Sequence, residues 1–160
     1  MGWNNAIPCV VREAEPGDLE DIRELHHSLC RFECNQGYDR QLDPDWSFST
    51  AAEEYFRKRI AGGDGVALAV VAEDATVGYL LGRIDPSDSG PVGRLESVYV
   101  QPTCRRQGFG TQLLARFIEW ASQRQLGKLT VSAAPGNAAA IGLYRQMGFR
   151  DATLILKRPG

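Results

Sequence analysis

The sequence predicts a single domain over residues 1–160, of mixed α/β (α+β) class, with helices flanking a central, mixed but mostly antiparallel sheet. β-branched runs of strand length alternate with amphipathic, helix-periodic runs along the chain. Two of the strand-like runs, 66–74 and 76–85, flank a short acidic turn, which is typical of a hairpin. Strands that pair in hairpins are antiparallel, so these observations together predict helices packed on such a sheet.

The predicted element order is β-α-α-β-β-β-α-β-α-β. Strands are predicted at 7–15, 66–74, 76–85, 93–102, 128–134 and 149–158. Helices are predicted at 16–34, 51–61, 108–125 and 137–149, with a loop at 35–49.

In chain order, the first helix follows a β-branched strand, and Asp18 is its expected N-cap, with acidic residues in its first turn. The second helix begins after Ser49 or Thr50, both good capping residues, and ends at the pair Gly62-Gly63. These signals at both ends predict a second helix at 51–61 before the sheet continues.

The strand after the hairpin stops at Pro102, because proline cannot continue a strand's hydrogen bonding. The third helix carries an apolar stripe that includes Leu113 and Phe117. The fourth helix has Asn137 as cap and Gly148 as terminator, and a final strand follows it.

Composition indicates an ordinary globular protein, with 43% hydrophobic and 24% charged residues. The longest apolar runs are too short to cross a bilayer, and no basic-then-apolar leader opens the sequence, so we expect a cytoplasmic location and no membrane partner. His26, Cys30 and Cys34 share one helix face, but no fourth ligand accompanies them, which favours packing over metal binding. We therefore expect no metal.

Charge is distributed unevenly along the chain. Residues 1–82 carry 7 Lys and Arg against 15 Asp and Glu, whereas residues 83–160 carry 11 against 5. A basic half suits an anionic ligand and an acidic half a cationic one, although a lopsided solvated surface explains the pattern equally simply. The net charge of −2 and the lack of an aromatic-basic platform predict no nucleic-acid partner.

The letters RRQGFGT, at 105–111, place two arginines and two glycines directly before the third helix. Gly108 and Gly110 remove side chains where a backbone would touch phosphate, and the first-turn amides of a helix have no internal partner. The helix dipole and the cations Arg105 and Arg106 add positive potential. This turn predicts a diphosphate site, with a glycine-rich turn carrying solvent-facing arginines as the alternative.

Two other phosphate-binding motifs are absent from the sequence. No Gly-Lys-Ser or Gly-Lys-Thr occurs, which excludes a P-loop, and Leu113 stands where the dinucleotide fingerprint requires its third glycine. Nucleotide hydrolysis and hydride transfer are therefore disfavoured.

The stretches LESVYVQPTCRRQGFG and NAAAIGLYRQMGF together resemble the GNAT superfamily of acyl-CoA-dependent N-acetyltransferases. Arg105, Gly108 and Gly110 match the family's [QR]-x-x-G-x-[GA] signature. Its N-x-x-[AS]-x-x-x-Y-x-x-x-G-F block is matched from Asn137 through Tyr144 to the final Gly-Phe. The resemblance covers essentially the whole chain and implies the GNAT fold.

The resemblance also implies that acetyl-CoA is the cosubstrate and that the acetyl group passes directly to an amine. In that family the strand before the phosphate turn lies beside the pantetheine arm, so Val98 and Val100 are expected to supply main-chain contacts. An amide near Val98 is expected to polarise the thioester carbonyl. The cofactor-binding residues implied are Val98, Tyr99, Val100, Arg105, Arg106, Gln107, Gly108, Phe109, Gly110, Thr111 and Asn137.

Two residues are candidates for proton transfer. Tyr144 is the expected general acid for the departing thiolate, with ring packing as its alternative role. Glu96 is the expected base for the acceptor amine; it lies two residues before Val98 and hence, by strand alternation, on the same face. Its alternative role is an ion pair with Arg94 or Arg83. Ser132 stands where enzymes that acetylate ribosomal proteins tend to carry Glu, which counts against that subclass.

The family's acceptor cleft implies a role for the loop between the first two helices, which contains Tyr38, Asp39, Asp43, Asp45 and Trp46. Carboxylates and aromatic rings together suit a cationic amine, although an acidic solvated loop is an equal alternative. We therefore expect a small-molecule primary amine as acceptor, such as a polyamine or amino acid. A protein Lys or N-terminal amine, a longer acyl group, and a non-catalytic acyl-CoA-binding regulatory module are the alternatives, and homodimerisation through a terminal edge strand is left open.

Overall fold

A computed structural model of the chain describes residues 8–38 and 42–160. The strands are β1 (Cys9–Glu13), β2 (Gly65–Ala72), β3 (Ala75–Asp85), β4 (Val92–Val100) and β5 (Leu129–Val131). The helices are α1 (Leu19–Asn35), α2 (Thr50–Ala61), α3 (Phe109–Gln123) and α4 (Ala138–Gln146). Short 3₁₀ turns occupy Pro16–Asp18, Pro44–Phe48 and Pro102–Cys104.

The five strands form one sheet in the order β1-β2-β3-β4-β5. The first four pair antiparallel with their neighbours, and β5 pairs parallel with β4. The predicted hairpin is the β2–β3 pair, and the predicted mixed, mostly antiparallel sheet is confirmed.

Helices cover both faces of the sheet. On one face α1 and α2 pack through Ile22 and Phe56 against Tyr79 of β3. On the other, α3 packs through Phe117 against Leu80, and α4 joins this cluster. Two separate apolar clusters therefore hold the sheet between two helical layers, as the alternation of elements predicts.

Most helix ends follow the predicted chemistry. The Ser49 hydroxyl accepts a hydrogen bond from the Ala52 amide, and the Asn137 side chain accepts one from the Ala140 amide. Asp18 occupies the N-cap position of α1, but its carboxylate accepts bonds from the Glu15 amide and the Thr76 hydroxyl instead of capping the helix. It thus ties the helix to the sheet.

The predicted final strand is wrong. Residues 149–158 form no strand ladder in the structure, and residues 150–160 are exposed throughout. Their β-branched, apolar letters favour a strand, but strand propensity creates a strand only where a neighbour supplies hydrogen bonds. No strand among the described residues pairs with this segment.

The sequence prediction that Glu96 and Val98 share a face is also wrong. Leu81 pairs with Ser97 but Gly82 pairs with Leu95, so Glu96 is an extra residue in β4, a β-bulge. Val98 packs in the α3 cluster, whereas the Glu96 carboxylate meets Arg59 of α2. The bulge breaks the alternation and turns Glu96 to the opposite face.

Among the described residues, no helix is both long and apolar enough to cross a membrane.

Candidate active site

A gap opens in the sheet between β4 and β5. The two strands pair only from Gly93 to Leu95, opposite Leu129 to Val131. β4 continues from Glu96 to Val100 with β3 on one side and no strand, among the described residues, on the other. Main-chain groups on that edge are available to a ligand, because an unpaired strand edge presents free N–H and C=O groups.

The predicted diphosphate-binding turn at 105–111, called the phosphate turn below, follows the end of β4 and leads into α3. The N-cap of α3 is Gly108, and no side chain of the described residues caps the helix. Its first internal hydrogen bond runs from the Gln112 amide to the Gly108 carbonyl, at 3.0 Å. The preceding amides of the first turn are therefore without internal partners, as an anion site at a helix N-terminus requires.

The turn holds an unusual backbone shape. Arg106 has φ 62° and Gly108 has φ 81°, both left-handed. Glycine adopts this conformation at little cost, but a residue with a side chain is strained there. Such strain is concentrated at functional sites such as ligand-binding turns.

The remaining residues of the turn divide into two groups. Gln107 and Thr111 are exposed, whereas Phe109 is buried in the α3 cluster. A Cβ on Gly110 would lie 3.2 Å from Leu143 of α4, so this glycine serves the packing of the two helices. Of the two predicted glycines, only Gly108 stands in open space.

Arg105 is held by the end of β4. Its Nε donates to the Val100 carbonyl at 2.8 Å, and its guanidinium carbon lies 5.2 Å from the centre of the Tyr99 ring. Tyr99 faces the α1–α2 layer, while Val98 and Val100 are half-buried on the α3 side.

Tyr144 of α4 reaches the same region. It is 9% exposed and belongs to the apolar cluster that also contains Phe109 and is lined by Val98 and Val100. Burial, and then the negative charge of Glu33, raise the pKa of Tyr144 to about 12. The phenol is therefore protonated at neutral pH, as a proton donor must be.

Asn137 is engaged at the start of α4, because its side-chain oxygen caps the helix at 3.2 Å. Its contact with a cofactor stays a prediction.

Two further residues lie near the gap. The sequence analysis did not single out Glu33, and it named Tyr38 only as part of the predicted acceptor loop. Glu33 lies on α1, on the opposite face of the sheet from α4, yet its charge acts on Tyr144. The Tyr38 hydroxyl donates to the Gly136 carbonyl at 3.1 Å, which joins the end of α1 to the start of α4. The gap between β4 and β5 thus brings both helical layers to one place, and no local sequence pattern signals this contact.

Glu96 is nearly enclosed, with 8% of its side chain exposed. Arg59 Nε donates to Glu96 Oε2 at 2.7 Å, and Arg83 Nη1 donates to Oε1 at 2.6 Å. Burial alone would raise the pKa of Glu96, but hydrogen bonds from Arg59 and Tyr55 outweigh it and lower the pKa. A carboxylate held in this way is a weak base, and its pairing with Arg83 matches the alternative role given by the sequence.

Tyr55 and Arg59, one turn apart on α2, are further residues that the sequence analysis did not single out. The Arg59 guanidinium carbon lies 4.8 Å from the Tyr55 ring centre, and both side chains meet Glu96. Their helical spacing was visible in the sequence, but the carboxylate that joins them lies 37 residues away from Arg59.

Only part of the predicted acceptor loop lies near the gap between β4 and β5. Trp46 packs against Tyr55, with 5.7 Å between ring centres, and so adjoins the Glu96 cluster. Asp43 accepts from the Asp45 amide and caps the 3₁₀ turn, and the Asp45 side chain is 88% exposed. Asp39 lies outside the described residues.

A surface cavity of about 320 Å³ lies between the β3–β4 loop and the loop before β5, lined by Pro91 and Lys128 among others, away from the phosphate turn. We place the site at the turn because an extended ligand lies along an open edge, which encloses little volume. The described residues contain no group of three or more His, Cys, Asp or Glu arranged to hold a metal ion.

The chain is similar in sequence to known proteins. The family model described as Acetyltransferase (GNAT) family matches residues 21–149. An aminoglycoside N(6')-acetyltransferase type 1 of Acinetobacter haemolyticus is 30% identical, over 91% of this chain and 94% of the relative. An L-methionine sulfoximine/L-methionine sulfone acetyltransferase of Pseudomonas aeruginosa is 41% identical, over 50% of this chain and 49% of the relative.

Among solved structures, AAC(6')-Iy in complex with the bisubstrate analogue CoA-S-monomethyl-acetylneamine has a TM-score of 0.70 and 19% sequence identity. The likeness covers 96% of this chain and 99% of that one. At this identity the comparison shows a shared fold.

Proposed function

The chain belongs to the GNAT family of acetyltransferases, and we propose that it transfers the acetyl group of acetyl-CoA directly to a primary amine of a small, multiply charged molecule. The observation that carries the proposal is the uncapped N-terminus of α3 beside the open edge of β4, with Tyr144 in the same apolar cluster.

The turn fits the diphosphate of the cosubstrate. Amides from Arg106 to Thr111 would bind the phosphate oxygens, with Arg105 and Arg106 supplying charge. The half-buried Val98 and Val100, with Tyr99 between them, would hold the pantetheine arm along the strand edge. An amide near Val98 would donate to the thioester oxygen as negative charge develops there.

The chemistry requires one proton to leave the amine and one to reach the thiolate. The free amine attacks the thioester carbon, the C–N bond forms, and the C–S bond breaks with release of CoA as thiol. Tyr144 donates its proton to the departing thiolate sulfur, and the phenolate that this leaves regains a proton from solvent. Glu96 as acceptor of the amine's proton stays a prediction of the sequence. Its ion pairs with Arg59 and Arg83 favour the alternative role, that of an ion-pairing glutamate, and in that case the amine's proton passes to solvent.

The acceptor is proposed to approach from the α1–α2 layer. Glu33 places negative charge near Tyr144, and residues 1–82, which include α1 and α2, carry the chain's excess of acidic residues. Opposite charge attracts a cationic amine to this side. The acetyl acceptors named for the two relatives, aminoglycosides and methionine sulfoximine, are small amines, which supports the same class here.

The test is release of CoA thiol from acetyl-CoA with a panel of amines: an aminoglycoside with a 6'-amine, spermidine, methionine sulfoximine, and a peptide with a free N-terminal alanine. We expect turnover with the small amines and the highest kcat/KM with the most highly charged one. Turnover confined to the peptide would favour a protein acetyltransferase. Binding of acetyl-CoA without thiol release on any amine would favour a regulatory module.

A further inference from the structure

Three arginines and two carboxylates form a cluster on the α1–α2 face of the sheet. Glu96 is ion-paired with Arg59 and Arg83, and Asp85 is ion-paired with Arg83 and Arg94. The hydrogen bond from Arg83 lowers the pKa of Asp85, and the hydrogen bonds to Glu96 outweigh its burial and lower its pKa as well. Both carboxylates are therefore ionised at neutral pH, and the cluster carries one more positive than negative charge.

The uncompensated charge lies on Arg94. Its Nη1 is 3.7 Å from Asp85 Oδ2, beyond hydrogen-bond distance, and its side chain is 41% exposed. Among the described residues, the Arg94 side chain makes one hydrogen bond, from Nη2 to the Ser132 hydroxyl at 3.4 Å. Ser132 is uncharged and a guanidinium has five N–H donors, so Arg94 retains both charge and donors for a ligand.

Arg94 lies where β4 and β5 separate. The last pair of the two strands is Leu95 with Val131, and Arg94 lies one residue before it. Ser132 follows β5 directly, so its position is two residues, or about 7 Å of strand, before that of Val98. A group held between Arg94 and Ser132 is therefore about one small molecule away from the amide proposed to bind the thioester oxygen.

The acceptor, and not the cosubstrate, would meet this guanidinium. Leu95 packs in the α3 cluster, so its neighbour Arg94 points to the α1–α2 side, from which the acceptor is proposed to approach. The phosphate turn follows the opposite end of β4, which places the phosphates of CoA away from Arg94. An anionic group bound at Arg94 would thus belong to the acceptor.

We propose that Arg94, together with the Ser132 hydroxyl, binds a carboxylate that the acceptor carries beside its amine. Of two amines that differ only in a carboxylate, the one that has it is then the better acceptor. The inference rests on the proposed function, because it assigns one part of the acceptor site. A single uncompensated positive charge matches a carboxylate, which a guanidinium binds through two parallel N–H groups. The amine would lie toward Glu33 and the carboxylate toward Arg94, so the two ends of a zwitterion are distinguished by charge.

The first test compares kcat/KM for methionine sulfoximine and for its carboxamide, which lacks the negative charge. The ratio of the two values is measured for the parent, Arg94→Gln, Arg94→Lys and the control Lys58→Gln, which removes a charge from an exposed position of α2. Comparing ratios between variants cancels the different basicity of the two amines and any general loss of activity. We expect a ratio of about ten in the parent and the control, near one in Arg94→Gln and intermediate in Arg94→Lys. A ratio near one in the parent, or one unchanged by Arg94→Gln, would overturn the proposal.

The second test measures binding without chemistry. The full chain saturated with CoA is titrated by calorimetry with N-acetylmethionine sulfoximine and with the carboxamide of that compound. We expect the carboxylate to bind the parent about tenfold more tightly than the carboxamide, and Arg94→Gln to bind both equally. Equal affinities in the parent, or no binding of either compound, would overturn the carboxylate site even if amines are acetylated. A carboxylate preference without turnover of any amine would support the site and contradict the proposed activity.

Discussion

Tyr144 combines a buried ring with a hydroxyl that retains its proton. Its pKa of about 12 lies above that of a free phenol, because burial and the nearby Glu33 disfavour the phenolate. The residue is thus a weaker acid than the sequence alone implies, and its phenol is protonated at neutral pH.

Replacing Tyr144→Phe keeps the ring in its cluster and removes only the transferable proton. We expect kcat to fall about 100-fold, the low end of what a general acid contributes, with CoA affinity unchanged. Thiol release and CoA titration measure the two quantities. Tyr38→Phe, which removes another hydroxyl near the gap, is the control and should change kcat only a few-fold; an equally active Tyr144→Phe would show that the ring merely packs.

Glu96 is the residue for which sequence and structure favour different roles. Glu96→Gln leaves Arg59 and Arg83 without their shared anion, and breaking such a buried pair costs on the order of 3 kcal/mol. We expect a lower free energy of unfolding at pH 7, measured by denaturant titration. The exposed Glu119→Gln on α3 should leave stability nearly unchanged.

The pH dependence gives an independent check on Glu96. Its pKa is lower in the folded chain than the ordinary value of 4.5, so its contribution to stability is present above that pH and is lost as pH falls through the folded pKa. The free energy of unfolding of Glu96→Gln should therefore fall less than that of the parent as the pH is lowered through this range. Full stability with a large loss of kcat in Glu96→Gln would instead support the base role.

At the scale of single elements, the phosphate turn depends on the backbone shape that Gly108 permits. Gly108→Ala places a side chain at φ 81° in the turn. We expect about a tenfold or greater loss of CoA affinity, since the strain is relieved by rotating the amides away from the phosphates. Gly90→Ala is a matched control, because Gly90 also has positive φ and open space but lies in the β3–β4 loop. Equal CoA affinity in both variants would contradict the role of the turn.

The elements that the sequence predicted well are those with local signals. Ser49 and Asn137 cap their helices as expected, and the turn between β2 and β3 forms the hairpin. The failures have non-local causes. The strand at 149–158 required a partner that the described chain does not supply, and the orientation of Glu96 depends on a bulge that only the pairing of β3 with β4 reveals.

The candidate site shows the same division. The turn at 105–111 and Tyr144 could be predicted as site residues because each belongs to a short motif. Glu33, Tyr55 and Arg59 were missed because their roles arise where helices from opposite faces, or residues distant along the chain, meet at the gap. Periodicity places a residue on a face but does not identify the group it contacts.

At the scale of the whole molecule, the separation of charge between the two halves predicts a salt effect on the acceptor. At saturating acetyl-CoA, kcat/KM for a multiply charged amine should fall about tenfold between roughly 0.05 and 0.5 M salt, because screening shortens the reach of the acidic half. A singly charged amine is the control and should change much less. If kcat/KM for the two amines depended equally on salt, the uneven charge of the two halves would be a property of a solvated surface with no effect on the acceptor.

The central claim is that main-chain amides around residues 106–111 bind the diphosphate of coenzyme A. The most direct measurement is a ¹H–¹⁵N spectrum of the labelled chain titrated with CoA and, separately, with pantetheine, which lacks the diphosphate. We predict that CoA shifts the amides of this turn downfield more than any other group, and that pantetheine moves residues of β4 but leaves the turn unchanged. Equal shifts at the turn with both compounds, or no shift there with CoA, would contradict the claim.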